Sequence, residues 1–408
     1  MADSPLPPAA DEATGSRLLD AWHDGTLLPS EAARDDRSPD GASIRRTGIG
    51  ESFVAWRLDA PGTTSLLIRV PWRPPADLAR PLRREVAALR QLDLPGLVPL
   101  ALGVEESADR SPIGLPYVVL THQEGEILPP TGWTPRHLRA HARALSRLHR
   151  RVVPGSGPVR DGPEPWADLT ATPRSVLAEA EAEFSRWERD RGDLLAEDGL
   201  GPLLEAALSR IAAVEEETGP APCCVLAHGD LCATNVLWHG PADDPVPAFI
   251  DFEWAQGDDP ARDLAILGGR VVGGPWYVPY GASARAEFVD AYVTARDLDP
   301  DRPADGPDEP AGTLGLRMRA WEAYERTAML LHLSARLTDG ARDGAEARCA
   351  DAARGGADAR RADAARGGAD ARRADAARGG ADARRARARA RDMLRRTLAE
   401  ALAAPLDG

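Results

Sequence analysis

Residues 225–240, VLAHGDLCATNVLWHG, place His228, Asp230 and Asn235 within eight positions between two apolar runs, and Asp251 follows sixteen residues after Asn235 at the end of the run AFIDF. Carboxylates and carboxamides are costly to draw out of water, so their gathering beside core-forming runs marks a candidate site. If the strand before His228 ends there, the Asp230 carboxylate and the Asn235 amide face one point from a short loop. Two neighbouring strands ending together would aim Asn235 and Asp251 at a common divalent ion, and hard oxygen donors of this kind suit Mg²⁺. Asp230 is then left to accept a proton.

A thiol-based metal site competes for the same stretch, since Cys223, Cys224, His228, Cys232 and His239 crowd together. Zinc sites prefer paired ligands two to four residues apart, whereas adjacent cysteines on a strand point to opposite faces. Core burial is the expectation for both Cys223 and Cys224. His122, Glu124 and Glu126 lie in a Pro- and Gly-bearing stretch that reads as a linker, and their side chains form no chemical pattern.

The elements that must position these groups fall into two kinds. After a short helix at SRLLDAWHD, the run GIGESFVAWRLDAPGTTSLLIRVPW reads as strands about a Pro-Gly turn. DLARPLRREVAALRQL carries Leu82, Val86 and Leu89 on one helical face, and GLVPLALGV and GLPYVVLTH read as two further strands. From residue 134 onward helical periodicity dominates, in TPRHLRAHARALSRLHR, SVLAEAEAEFSRWERD, PLLEAALSRIAAVEEE, ARAEFVDAYVTAR and LRMRAWEAYERTAMLLHLSARL. A small β island interrupts them at CCVLAHGD, NVLWHG and VPAFIDFEW. Strands segregated from helices argue an α+β fold, and 408 residues are comfortable for two lobes.

The boundaries read as a disordered start (1–15), a first lobe (16–121), a linker (122–133) and a mainly helical lobe (134–340). A low-complexity insert (341–390) and a closing helix (391–408) follow. The insert holds three copies of ADAARGGADARR over residues 350–385. A period of 12 is too short for a solenoid unit, and each Gly-Gly pair is expected to break any helix, at about 1 kcal/mol per Gly relative to Ala.

All 50 basic residues are arginine, which reads as coding bias rather than function. The net charge of −14 is uneven: residues 151–340 carry 34 acids against 16 arginines. Such a segment repels nucleic acid and attracts a cationic small molecule. No apolar run approaches the roughly 18 residues of a membrane span, and the acidic, Pro-rich start lacks the features of a secretion signal. Four cysteines, two of them adjacent, form no regular disulfide framework. A soluble, cytoplasmic protein without nucleic-acid or membrane partners is expected.

An H-x-D-x(4)-N loop followed by a D-F strand end resembles the phosphoryl-transfer site of the eukaryotic-like kinase superfamily. The stretches HGDLCATN and IDFEWAQGDDPARDLA are similar to the HGDxxxxN and IDFE…DPxxDLA patterns of its small-molecule branch, the aminoglycoside phosphotransferases and their relatives. The resemblance implies a bilobal kinase-like fold with a mainly β first lobe that holds the nucleotide. It implies that Asp230 takes or orients the acceptor hydroxyl's proton, while Asn235 and Asp251 hold the Mg²⁺ that bridges the phosphates of ATP or GTP. His228 would support the loop by hydrogen bonding, and Asp263 would start a helix and brace the loop. In the first lobe, Gly48 and Gly50 would belong to a phosphate-covering loop. Arg69 stands where most such kinases carry Lys, and Glu85 where its paired glutamate belongs. LLIRVPW and GESFVAWRLDAPG resemble instead the macrolide phosphotransferases, and a guanidinium grips phosphate in a bidentate fork.

The implied activity is Mg²⁺-dependent transfer of a γ-phosphate to a hydroxyl of a small molecule, foremost an aminoglycoside or macrolide antibiotic. The acidic helical lobe suits an aminated acceptor, with Trp276, Tyr277 and Tyr280 as an apolar wall. Metabolic acceptors of homoserine, methylthioribose, choline or fructosamine type remain alternatives, as does a nucleotide-binding module without catalysis.

Overall fold

The computed structural model describes residues 7–28, 41–50, 52–74, 77–171, 174–197, 199–301, 308–354 and 367–404, the side chains at 197 and 340–384 excepted. A helix α1 (Glu12–His23) precedes β1 (Ser43–Ile49), β2 (Phe53–Asp59) and β3 (Leu66–Pro71). Helix α2 (Leu82–Leu89), β4 (Ala101–Glu105) and β5 (Tyr117–Thr121) complete the first lobe. Its strands form one antiparallel sheet in the order β1-β2-β3-β5-β4. Side chains alternate between its faces. Val54, Trp56, Leu58, Ile68, Val70 and Val119 pack with Leu18 and Trp22 of α1 on one face. Phe53, Val118 and Leu120 join Val86 and Leu89 of α2 on the other, in a cluster that continues into the second lobe. Arg69, between Ile68 and Val70, is thereby turned to the α2 side, toward the cleft.

The second lobe runs through β6 (Glu126–Ile127), α3 (Pro135–Leu148), β7 (Val152–Val153), β8 (Gly157–Pro158), α4 (Val176–Glu197), α5 (Gly201–Thr218) and β9 (Cys224–Ala227). It continues with β10 (Val236–His239), β11 (Val246–Phe249), β12 (Gln256–Asp258), α6 (Pro260–Ile266), α7 (Ala282–Asp297), α8 (Ala311–Arg354) and α9 (Gly367–Ala403). β10 and β11 form a hairpin, with β6 on the far side of β10, and β7-β9-β12-β8 form a second small sheet. Around them, Phe184, Phe288, Tyr292 and Trp321 fill the helical core. The fold is α+β, with a β-rich first lobe and a mainly helical second. Among the described residues no helix is long and apolar enough to cross a membrane.

The structure departs from the sequence reading, or adds to it, at four places. The start is ordered from Pro7: a 3₁₀ turn at Pro8–Ala10 leads into α1, which Asp11 caps. Tertiary contacts hold it, because Ala9 O accepts from Trp56 Nε1 at 2.9 Å and Ala10 O from Arg46 Nη1 at 2.6 Å. Residues 1–6 lie outside the described residues. The stretch expected as a linker contains β6, which pairs with Leu237 and Trp238 of β10. Strands β7, β8 and β12 were not legible, being two or three residues long. Finally, the backbone of α9 is helical through Gly379–Gly380 and begins at Gly367, not at 391. Alanine, the best helix former, dilutes the cost of two glycines, and burial of Ala390, Leu394 and Leu398 anchors the helix. Residues 355–366 of the repeats lie outside the described residues.

His141 of α3 is fully enclosed, 5.6 Å from the Trp133 ring, 5.2 Å from Phe249 and 5.9 Å from Phe288, and neither ring nitrogen has a hydrogen-bond partner among the described residues. Burial pushes its pKa down to about 3. The folded chain keeps it neutral while the unfolded chain protonates it below about 6.5. The unfolded state then binds more protons, so stability should fall from pH 6.5 toward 3 by about 1.4 kcal/mol per unit, with no contribution above that range. Urea unfolding between pH 7.5 and 5 checks this: His141→Leu should flatten the slope by that amount, and an unchanged slope would assign it to other groups.

Candidate functional site

The β9 strand ends at Ala227, and the chain turns through His228–Gly229–Asp230 before a 3₁₀ turn at Ala233–Asn235 feeds β10. Gly229 makes that turn possible. Its φ is +81°, and a Cβ there would lie 2.4 Å from the carbonyl oxygen of Trp254. The loop is then tied from several sides. Asp263, on the first turn of α6, accepts from His228 N at 2.7 Å and Gly229 N at 2.8 Å. Its Oδ2 also meets His149 Nε2 at 3.1 Å, and the other nitrogen of that ring meets Tyr292 Oη at 3.0 Å. Burial pushes the Asp263 carboxyl upward, but His149, His228 and the Gly229 N–H hold it below the usual carboxylate range.

His228 is buried and its pKa is lowered by desolvation. Nε2–H donates to Ile250 O at 2.9 Å, and Nδ1 accepts from Asp230 N at 3.3 Å. Both nitrogens are thus spent on backbone, as expected of a group that shapes the loop. Asn235 Nδ2 donates to Asp230 O at 2.7 Å and to Asp230 Oδ2 at 3.1 Å. The β10–β11 register pairs Val236 with Phe249, so Asn235 and Ile250–Asp251 emerge together from one end of the hairpin; Ile250 N donates to Asn235 O at 3.0 Å.

Asp251 is the only residue other than glycine with positive φ among the described residues, at φ 69°. Left-handed backbone at a non-glycine position is strained, and the surrounding contacts must hold it. They do so through Arg69, whose Nη2 donates to Asp251 Oδ1 at 2.6 Å while Nη1 contacts both Glu85 oxygens at 2.6 and 2.7 Å. Glu85 Oε1 also accepts from Phe252 N at 3.3 Å, and the guanidinium lies 4.3 Å from the centroid of the Phe53 ring. Burial alone would lower the Arg69 pKa, but Asp251 and Glu85 raise it, so the side chain stays charged. Gly48 lies in β1, and Gly50 forms the turn before β2 with its N–H donating to Phe53 O at 2.7 Å. Neither has a left-handed φ, and a Cβ on Gly48 meets nothing within 4 Å. The fold itself does not demand glycine at Gly48; Glu51 between them and β2 lies outside the described residues.

Burial raises the Asp230 carboxyl well above the usual range, assisted by Asp251, Glu325 and Glu253 and opposed by the Asn235 donor. Glu325 was not legible as a site residue, since it lies on α8 far along the chain. It pairs with Arg262 at 2.7 Å, and Arg262 also holds Asp258 at 2.7 Å while lying 5.0 Å from the Trp321 ring. His149 and Tyr292 were missed for the same reason. Conversely, Tyr277 and Tyr280 are buried, so they do not form an exposed wall; Tyr277 stacks beneath Arg326 at 3.6 Å. Trp276 is half-buried, and its carbonyl accepts from Ala233 N at 2.8 Å. Cys224 and Cys232 are buried and Cys223 is partly buried, and no group of three or more His, Cys, Asp or Glu among the described residues could hold a metal alone. Asn235 and Asp251 offer oxygen donors, and Mg²⁺ is commonly bound by one or two protein oxygens completed by phosphate and water. The donor set fits that ion.

A family model described as the phosphotransferase enzyme family (APH) matches residues 43–305. Among solved structures, an ethanolamine kinase of Plasmodium vivax aligns with TM-score 0.54 and 12% identity, covering 82% of this chain and 86% of its own. A choline kinase of Cryptosporidium parvum gives 0.51 and 12%, with 78% and 89% covered. The macrolide 2′-phosphotransferase MphH of Brachybacterium faecium gives 0.48 and 20%, with 82% and 97% covered. No curated protein matches the chain.

Removing the Asp263 carboxylate leaves the N–H groups of His228 and Gly229 and the His149 ring without their acceptor. Buried donors left unpaired cost about 1–3 kcal/mol each. Asp263→Ala should therefore destabilise the protein by about 3–5 kcal/mol in urea unfolding, as breaking a buried charged network does; a loss under about 1 kcal/mol would mean the loop is braced from elsewhere.

Proposed function

The chain belongs to the phosphotransferase enzyme family, and from that premise we propose that it transfers the γ-phosphoryl group of ATP or GTP to a hydroxyl of an aminated small molecule, foremost an antibiotic of aminoglycoside or macrolide type. The observation that carries this reading is the convergence of Asp230, Asn235 and Asp251 at one end of the β10–β11 hairpin, with Arg69 joined to Asp251 across the cleft.

In this reading the acceptor hydroxyl approaches Asp230, which orients it and takes its proton as the new O–P bond forms and the bond from the γ-phosphorus to the bridging oxygen breaks. Nucleoside diphosphate leaves. Asn235 fixes the Asp230 carboxylate through Nδ2, which leaves Oδ1 for a cation. Asn235 and Asp251 would hold Mg²⁺, which supplies positive charge to the phosphate oxygens where the transition state spreads its negative charge. Arg69, its Nη1 held by Glu85 and its Nη2 by Asp251, supports Asp251 and adds a permanent positive charge to the field at the phosphates. Gly48 and Gly50 leave room for a close backbone approach to phosphate oxygens.

Asp251 and, more weakly, Glu253 and the Arg262-paired Glu325 add negative potential at Asp230. Such a field favours a cationic nitrogen near the reacting hydroxyl. The ethanolamine and choline kinases that share the fold are named for small alcohols bearing such a nitrogen, so these are the metabolic alternatives to an antibiotic. A panel of aminoglycosides, macrolides, choline and ethanolamine with ATP and GTP separates them.

Asp230→Asn should lower kcat by about 10²–10⁴, the usual worth of a positioned proton acceptor, with nucleotide affinity little changed. Asp251→Ala should abolish Mg²⁺-dependent nucleotide binding as well, read by calorimetry. Turnover that survives both substitutions would overturn the assignment. Arg69→Ala should raise the nucleotide KM at least about tenfold, and an unchanged KM would remove Arg69 from the phosphate site.

A further inference from the structure

We propose that the pocket enclosed by α5, α7, α8 and α9, remote in role from the Asp230 site, binds a small oxyanion of the phosphate class. Arg210, Arg270, Arg285 and Arg319 line it, with Glu322 as the single carboxylate of the lining. The cavity measures about 50 Å³, and a buried water needs about 10–15 Å³ of such space, so the room is that of a few waters or one tetrahedral ion.

Charge in this pocket is out of balance in a chain that is otherwise acidic. Arg285 and Glu322 approach at 3.5 Å, a long and imperfect pairing. Both are more than nine-tenths buried, at 8% and 6% exposure, yet Arg285 Nε and Glu322 Oε1 have no hydrogen-bond partner among the described residues. Arg210 Nη2 donates to Ala401 O at 3.2 Å and Leu402 O at 3.1 Å, and also to Ala404 O. It therefore closes the C-terminal end of α9 and meets no carboxylate among the described residues. Arg270 and Arg319 form no ion pair among the described residues. Burial lowers the Arg319 pKa, and repulsion from Arg285, Arg210 and Arg270 lowers it further.

Arg285 is buried, Arg210 and Arg319 are half-buried and Arg270 is exposed; gathering them around a single, imperfectly paired carboxylate is costly, and a planar fork of N–H donors matches the oxygens of a phosphate. A bound oxyanion would neutralise the excess and give Arg285 Nε an acceptor. Because Leu398, Ala401 and Leu402 of α9 form one wall, the ion would also fasten the end of that helix to the lobe.

Calorimetry of the full chain with inorganic phosphate, and separately with sulfate, tests the assignment with and without saturating Mg-ADP. The expected result is one site that persists with Mg-ADP present and slows amide exchange over residues 398–404. Arg270→Ala and Arg319→Ala should each weaken it by about tenfold or more. Neither variant should lower the Tm of the ligand-free protein, because each relieves repulsion. Absence of phosphate binding, binding unaltered in both arginine variants, or binding displaced by Mg-ADP would each overturn the proposal. So would phosphate uptake seen only after removal of residues 405–408, which would assign the pocket to that segment of the chain.

Discussion

Arg69 sits with its guanidinium between Glu85 and Asp251, two carboxylates from opposite sides of the cleft. At 8% exposure such a cation is tolerated only when paired and hydrogen-bonded with good geometry. Sheet alternation turns it away from the Ile68–Val70 face, and the apolar face of α2 brings Glu85 beneath it. Asp251 then completes the pairing from the second lobe. Its left-handed backbone is strained in isolation, so the ion pair, the Phe252 N–H on Glu85 and the packing of Phe252 in the core together fix a conformation the residue would otherwise avoid. The geometry of the cleft thus follows from satisfying one buried positive charge.

The same physics operates below the cleft with the sign reversed. Asp263 is a fully buried carboxylate, and its partners are the backbone N–H groups of the His228–Gly229 turn and the His149 ring. A helix N-terminus also favours negative charge, which suits its place on the first turn of α6. One residue earlier than the helix, Asp259 caps α6 and receives Arg317 and Trp321 Nε1, both at 2.7 Å. Two acids four positions apart therefore anchor the His228–Asp230 loop on one side and α8 on the other. Replacing either by an apolar residue would strand donors that are buried, such as His228 N, the His149 ring and Trp321 Nε1.

Acidity in the second lobe is similarly divided by use. Asp258, Asp259 and Asp263 are buried in structural pairs, and Glu325 is drawn toward Arg262. Asp230 and Asp251 remain partly open to the cleft. Excess negative charge therefore gathers as a local field around Asp230, while Arg210, Arg270 and Arg319 gather near α9 without an ion pair among the described residues. A net charge for the whole chain conceals both.

Much of the architecture was legible in the residues themselves. Period-two runs and 3.6-residue spacing marked β2, β3, β5 and the helices α2 to α5, α7 and α8, because those elements bury one face and must repeat at the period of their own backbone. The spacing of His228, Asp230, Asn235 and Asp251 was likewise local, set by a turn and a hairpin of fixed size. Elements held by distant partners were not legible: the ordered start, the two-residue strands β6, β7 and β8, and the helical Gly379–Gly380 pair depend on neighbours the local pattern does not encode. Residue type suits Tyr277 and Tyr280 to an apolar wall for a ligand, whereas packing around Arg326 and Phe288 encloses them. His149 and Glu325 join the site from more than seventy residues away, and Tyr292 and Arg262 reach it through His149 and Glu325. Local sequence determined which elements form and which acids and amides share a loop; the tertiary structure alone decided which charges meet, since ion pairs depend on distances in space that the spacing of residues along a chain does not set.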